Sequence, residues 1–241
     1  MLKNRNLTRE ELNHIMQYSK LYKGGESIIC EGKNEFSAIK LFAENGKLIP
    51  MSDNKEKKLN LLYQMNPDYS TKVLSTISCN GTLVGFEQSS NPDYITLKQL
   101  NIMYFKDMLY QLRKIKEILE YFSSIGIIYG DLALRNILIN TETGELVFCD
   151  MDNTQIDDYK MDLVPSELYE YKELRGIDFG VHPYQHNNLL LRALYEDIYT
   201  IAPRTIRRTF KRPARKIIDT MLTPEFYTDE YLIDHIKKLN R

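Results

Sequence analysis

Ile127-Ile128-Tyr129-Gly130-Asp131-Leu132-Ala133-Leu134-Arg135-Asn136-Ile137-Leu138-Ile139 sets a carboxylate and an amide five residues apart, between an amphipathic pattern and a short apolar run. Upstream, Met108, Leu112, Ile115, Leu119 and Phe122 recur at alternating steps of four and three, the spacing of a core helix. Downstream, Thr141-Glu142-Thr143-Gly144 reads as a turn, and Leu146-Val147-Phe148-Cys149 as a second strand that leads directly into Asp150. Asp and Asn are frequent turn residues, so the pair alone says little. A strand on each side of the turn, with an Asp closing the second strand, sets this pair apart.

Toward the N-terminus, Thr8-Arg9-Glu10-Glu11 reads as a capping box, with Leu7 and Leu12 available as a hydrophobic staple, opening a short helix through about Ser19. Ser27–Cys30 and Phe36–Phe42 are strand-like and are linked by Glu31-Gly32-Lys33-Asn34. Ser52–Met65, rich in Lys and Leu, reads as a helix. Val73–Ser78 and Thr82–Gln88 flank Asn80-Gly81, a hairpin-turn signal. From about Thr96 the character turns helical. Past Asp150 the strand signals stop, and His186–Ile201, Arg204–Thr220 and Thr228–Leu239 read as helices that Pro203 and Pro213 cap or interrupt.

The 241 residues suffice for one large domain or two small lobes. Hydrophobic residues are 43 % and charged residues 27 %, the balance of an ordinary soluble chain. A net charge of −1 gives no global reason to expect nucleic acid or a membrane surface as a partner. No apolar run reaches the roughly 18 residues of a membrane span, and the first residues lack the apolar stretch of a secretory signal. Cys30, Cys79 and Cys149 lie far apart in apolar runs, which predicts buried thiols in a reducing, cytoplasmic setting. His14, His182, His186 and His235 lack metal-ligand spacing.

The loop, the hairpin and its closing Asp resemble the protein-kinase superfamily, in the form of a divergent, small bacterial or phage-type member. The resemblance runs from about Lys23 to the C-terminus. It implies an α+β, two-lobe fold: a strand-rich N-lobe over residues 1–88 with an added N-terminal helix, a hinge over 89–95, and a helical C-lobe over 96–241. It implies ATP and Mg²⁺ as cofactors. Asp131 would orient and deprotonate a hydroxyl, and Asn136 and Asp150 would hold the metal on the nucleotide phosphates. Ala38-Ile39-Lys40 resembles the strand whose Lys grips the α- and β-phosphates and pairs with a helix Glu. Asp53 and Glu56 are the only carboxylates between Pro50 and Pro67; Asp53 suits a cap, so Glu56 is the expected partner. Lys23-Gly24-Gly25-Glu26-Ser27 stands at the place of the glycine-rich loop, with Gly24, Gly25 and Ser27 expected at the phosphates; a plain hairpin turn is the competing reading. Glu87, beside the expected hinge, completes the nucleotide-binding set.

Several features depart from the family pattern. Ile177-Asp178-Phe179-Gly180 spells the usual metal motif, but no hairpin strand leads into it. Asp150-Met151-Asp152 takes that role, and Asp178 better matches an Asp that braces the catalytic loop. Val164-Pro165-Ser166-Glu167 resembles the close of an activation segment. Tyr129-Gly130 replaces the usual His-Arg, and the segment to Glu167 is short, so activity independent of phosphorylation at Thr154, Tyr159 or Ser166 is expected. Ala133 stands where many Ser/Thr kinases place a Lys; Arg135 is the next basic group, an arrangement nearer that of tyrosine kinases.

The expected activity is transfer of the γ-phosphate of Mg-ATP to a protein hydroxyl, Ser/Thr or Tyr. The alternatives are a small-molecule kinase of aminoglycoside or choline type and a pseudokinase scaffold. Arg204, Arg207, Arg208, Lys211, Arg212, Arg215 and Lys216 form a basic cluster that is either a solvated helix face or a docking surface for an acidic partner.

Overall fold

The computed structural model describes residues 2–18, 20–23, 27–100 and 105–159, without the side chains of 20–23 and 105–110. The glycines of 24–26, the segment from residue 160 with Asp178 and Glu167, and the basic cluster all lie outside these residues. The fold is mixed α+β. Its strands are β1 (Lys3–Leu7), β2 (Lys20–Lys23), β3 (Ser27–Glu31), β4 (Ser37–Glu44), β5 (Lys47–Leu48), β6 (Val73–Cys79), β7 (Thr82–Ser89), β8 (Tyr94–Thr96), β9 (Ile127–Ile128), β10 (Ile137–Asn140), β11 (Leu146–Phe148) and β12 (Gln155–Ile156). The helices are α1 (Arg9–Tyr18), α2 (Asp53–Met65) and α3 (Phe105–Ser124).

Contacts divide the chain into two compact units, Met1–Ile95 with Leu138–Asp152, and Thr96–Ile137 with the residues from Asn153 on. The hairpin that ends at Asp150 thus belongs with the N-terminal unit, whereas the sequence grouping kept 96–241 together.

In the first unit the main sheet runs β1-β6-β7-β4-β3-β2, with β5 on β4. β4 is central, and its alternation sorts two chemistries onto two faces. Ile39, Leu41 and Ala43 join Ile28, Cys30 and Ile77 in a core that Leu12 of α1 closes. Lys40 and Phe42 point to the other face. α1 begins as expected: Glu11 accepts from the Thr8 amide at 2.7 Å, and its own amide donates to Thr8 Oγ1 at 3.2 Å. At the Asn80-Gly81 turn both residues have positive φ, 51° and 81°, as a two-residue hairpin of the right twist requires.

β1 is not a strand that sequence patterning foresees. Lys3-Asn4-Arg5-Asn6 is polar, yet it pairs in parallel with Ser75–Cys79 of β6. Ser78 Oγ explains the fit, accepting from Asn4 Nδ2 and donating to Asn6 Oδ1, both at 3.1 Å.

β11, β10 and β8 form a three-stranded sheet. Phe148 of β11 is clamped from the loop before β6: its amide donates to the Tyr69 carbonyl at 2.8 Å, and its carbonyl accepts from the Thr71 amide at 2.9 Å. This clamp fixes the residues that follow Phe148.

In the second unit, Leu112, Ile115, Leu119 and Phe122 of α3 are all buried, the expected helical row; the Met108 side chain lies outside those described. Phe122 stacks on the buried Tyr129, with ring centroids 6.4 Å apart. β9 pairs antiparallel with β12. None of the three cysteines forms a disulfide. Among the described residues, no helix is long and apolar enough to cross a membrane.

Candidate functional site

Two polar constellations stand out, one in each unit. The first is built on the central strand. The Lys40 ammonium donates to Asp150 Oδ1, and to Asp152 Oδ1 at 2.6 Å. The side chain of Asp152 is only 1 % exposed and that of Asp150 30 %. A second ammonium, Lys55 of α2, lies 3.4 Å from Asp152 Oδ2. Phe42 and Phe86 floor the cluster: Lys55 Nζ sits 4.5 Å from the Phe42 centroid, and Lys40 Nζ 5.9 Å and 6.0 Å from Phe42 and Phe86. Two cations and two anions therefore share one buried corner, and their formal charges cancel.

The local backbone makes this possible. Asp150 lies in the left-handed region, φ 62°, which Asp tolerates better than most residues. A 3₁₀ turn over Met151–Asn153 follows and turns Asp152 inward. Burial pushes the Lys40 ammonium down, but the Asp152 and Asp150 carboxylates outweigh it and hold the group above its ordinary value. Burial likewise pushes Asp152 up; Lys40 and Lys55 outweigh it and hold the carboxyl below the usual range.

Close approach of β7 to β4 is also required. A Cβ on Gly85 would collide with the Lys40 carbonyl oxygen and press on Leu41. Glycine at 85 lets the strand carrying Phe86 lie against the strand carrying Lys40.

Two expectations fail here. Lys40 does not pair with Glu56. The buried residues of α2 are Lys58, Leu59 and Leu62; Lys55 stands on the same row at i, i+3, i+4, i+7, and Glu56 lies about 100° around the helix from Lys55. Glu56 is half-buried in a groove with Asn4, Asn60 and Thr76 instead. Glu87 does not face the Lys40 side of the sheet. Phe86 is opposite Lys40 in register and Glu87 opposite Ile39, so its side chain leaves from the other face. There it is buried and spent on structure, accepting from Ser37 Oγ at 2.9 Å, the Lys33 amide at 3.3 Å and Ser75 Oγ at 3.3 Å, with Arg5 at 3.9 Å. Ser27 opens β3, opposite Phe42 of β4. Asp53 begins α2, but the cap is Ser52, whose hydroxyl accepts from the Lys55 amide at 3.3 Å.

The resemblance assigns the metal position to Asp150-Met151-Asp152 and gives Asp152 no separate role. The available signal was the Asp-x-Asp repeat after an apolar strand, which in a 3₁₀ turn can aim both carboxylates at one cation.

The second constellation is contained in one loop. Arg135 Nη2 donates to both Asp131 carboxylate oxygens, at 3.1 Å and 3.0 Å. Asn136 Nδ2 donates to Asp131 Oδ2 at 2.7 Å and to the Asp131 carbonyl at 3.0 Å. A 3₁₀ turn over Leu134–Asn136, closed by the Asn136 amide on the Ala133 carbonyl at 2.9 Å, brings Arg135 and Asn136 back onto Asp131. Leu132 and Ala133 are buried beneath the loop. Asp131 is therefore a carboxylate oriented from two sides. Thr154, downstream, is fully buried.

In comparison with known proteins, the chain matches no family model and no curated protein sequence.

Proposed function

We propose that this chain is an ATP-dependent phosphotransferase of two-lobe, protein-kinase-like fold that moves the γ-phosphate of Mg-ATP to a hydroxyl of a protein substrate. One observation carries the reading. The loop supplies an oriented carboxylate, and the hairpin after it ends in a carboxylate held by a buried lysine of a central strand. Phosphoryl transfer asks for these groups, because its catalysis is mainly positioning and charge stabilisation.

The donors suit Mg²⁺. Asp150 offers a partly exposed carboxylate and Asn136 an amide oxygen, hard ligands of the kind this ion takes while keeping waters and phosphate oxygens. Bound Mg-ATP supplies the transferable phosphoryl group. Lys40 holds the α- and β-phosphates with a charge that does not titrate near neutrality. Asp131 accepts the hydrogen bond of the acceptor hydroxyl and then its proton. Arg135 keeps the Asp131 carboxylate in one orientation and sets a cation beside it.

The test is calorimetric titration of ATP with and without Mg²⁺. Wild type is expected to bind more tightly with Mg²⁺, and Asp150→Ala to lose that difference while remaining folded. A folded Asp150→Ala variant with the full Mg²⁺ effect would overturn the assignment.

A further inference from the structure

We infer that Asp152 is the positioning residue that anchors Lys40 for nucleotide phosphate, a task that no carboxylate of α2 performs in this chain. The inference deepens the proposed function and rests on it for the role of Lys40; the anchoring itself rests on contacts alone.

Lys40 is a buried ammonium on a central strand, and such a group needs a matching anion in fixed geometry. Two carboxylates meet it, and they differ. Asp150 is partly exposed and, as the proposed metal ligand, cannot serve Lys40 alone once phosphate and cation arrive. Asp152 is almost fully enclosed, so its charge stays with the protein. α2, which packs over the same face, turns a cation to this corner: Lys55 reaches the second oxygen of Asp152. Each Asp152 oxygen thus meets its own lysine, Oδ1 with Lys40 and Oδ2 with Lys55. Lys55 is braced in turn by the Phe42 ring. The polarity of the pair is inverted relative to a helix carboxylate on a strand lysine: the anion comes from the turn after β11, and the helix contributes the second cation.

Two measurements on the full chain test this. The first is a thermal-stability cycle of Lys40→Met, Asp152→Asn and the double variant. Each single change leaves a buried charge imbalance and is expected to lower Tm by about 6 °C or more. The double change removes one charge of each sign and is expected to cost much less than the sum. An Asp152→Asn chain that does not fold beside a double variant that does is the extreme form of the same result. Additive losses, or a double variant that does not fold, overturn the anchoring.

The second measurement compares Mg-ATP with adenosine. Asp152→Asn is expected to weaken Mg-ATP on the order of ten-fold while adenosine stays within about two-fold, because the loss falls on phosphate alone. Adding Lys55→Glu to Asp152→Asn returns a carboxylate to the corner from α2, and part of the Mg-ATP affinity with it. Unchanged Mg-ATP affinity in Asp152→Asn overturns the positioning role. If wild type binds no ATP while the stability cycle is non-additive, the proposed function falls and the anchoring of Lys40 stands.

Discussion

The Asp131 loop and the Lys40 corner are both charged, and they are built in opposite ways. In the loop every partner of Asp131 among the described residues comes from the next five positions, and Arg135 is half exposed. In the corner the lysine meets carboxylates 110 and 112 residues away in the chain, one of them enclosed. A local cluster whose cation is exposed can lose a charge at little cost to the fold, since exposed ion pairs contribute at most about 1 kcal/mol. A remote, dry cluster cannot, because the partner left behind is a buried charge without its counterpart. On the proposed function, the loop is therefore where activity and stability are expected to separate, and the corner where they are expected to coincide.

The largest effect expected from that contrast is on rate. Asp131→Asn should reduce phosphate transfer by about 10²- to 10⁴-fold, the usual share of a positioned base, with Tm shifted by no more than about 2 °C. Steady-state rates and a melting curve on the same sample check both halves. A large fall in Tm would show that the loop is structural after all.

Next in size, Asp152→Ala should destabilise the protein by about 3–5 kcal/mol in chemical denaturation, the cost of orphaning a buried ion-pair partner. A loss as small as that of an exposed pair would erase the distinction between the two regions.

Gly85→Ala probes the backbone under the corner. The new methyl meets the Lys40 carbonyl, and β7 must retreat, at a cost of about 1–3 kcal/mol. Mg-ATP affinity should fall with stability, because the strand that β7 is forced away from is the one that carries Lys40. Stability lost with affinity intact would uncouple Lys40 from the packing of β7.

The smallest effect is a pH signature. Asp152 is held below its ordinary value of 3.8, so its contribution to stability is complete above that pH and is lost as pH falls through the lower folded-state value. Lys40 is held above its ordinary value of 10.5, so its share is complete below that pH and is lost only as pH rises through the higher folded-state value. The stability gap between wild type and Asp152→Asn should be widest between those limits and close on acidification. Denaturation curves at pH 7 and at a series of pH values below 3.8 trace it.

The same contrast governs what could be read from the chain alone. The Thr8–Glu11 capping box, the Asn80-Gly81 turn, the buried row of α3 and the Asp131–Asn136 spacing are relations within a few residues, and periodicity or turn chemistry reports them directly. The partner of Lys40 is not such a relation. Glu56 is the expected partner because it and Asp53 are the only carboxylates between Pro50 and Pro67, but the buried residues of α2 are Lys58, Leu59 and Leu62, and it is Lys55, one turn before Leu59, that reaches the corner. Glu87 was misread for a related reason. Its face is fixed by strand register across β4, β7 and β6, and its hydroxyl partners, Ser37 and Ser75, come from two other strands. β1 escaped notice because its polar residues find their partners on Ser78 of β6.

Incubation of the purified chain with γ-labelled ATP and Mg²⁺, with and without an added protein acceptor, tests the central claim most directly. Mass spectrometry then locates the label. Wild type should place labelled phosphate on a Ser, Thr or Tyr hydroxyl, and Asp131→Asn should not. Full transfer by a folded Asp131→Asn variant, or a wild type that neither transfers the label nor binds ATP in a Mg²⁺-dependent way, would contradict it.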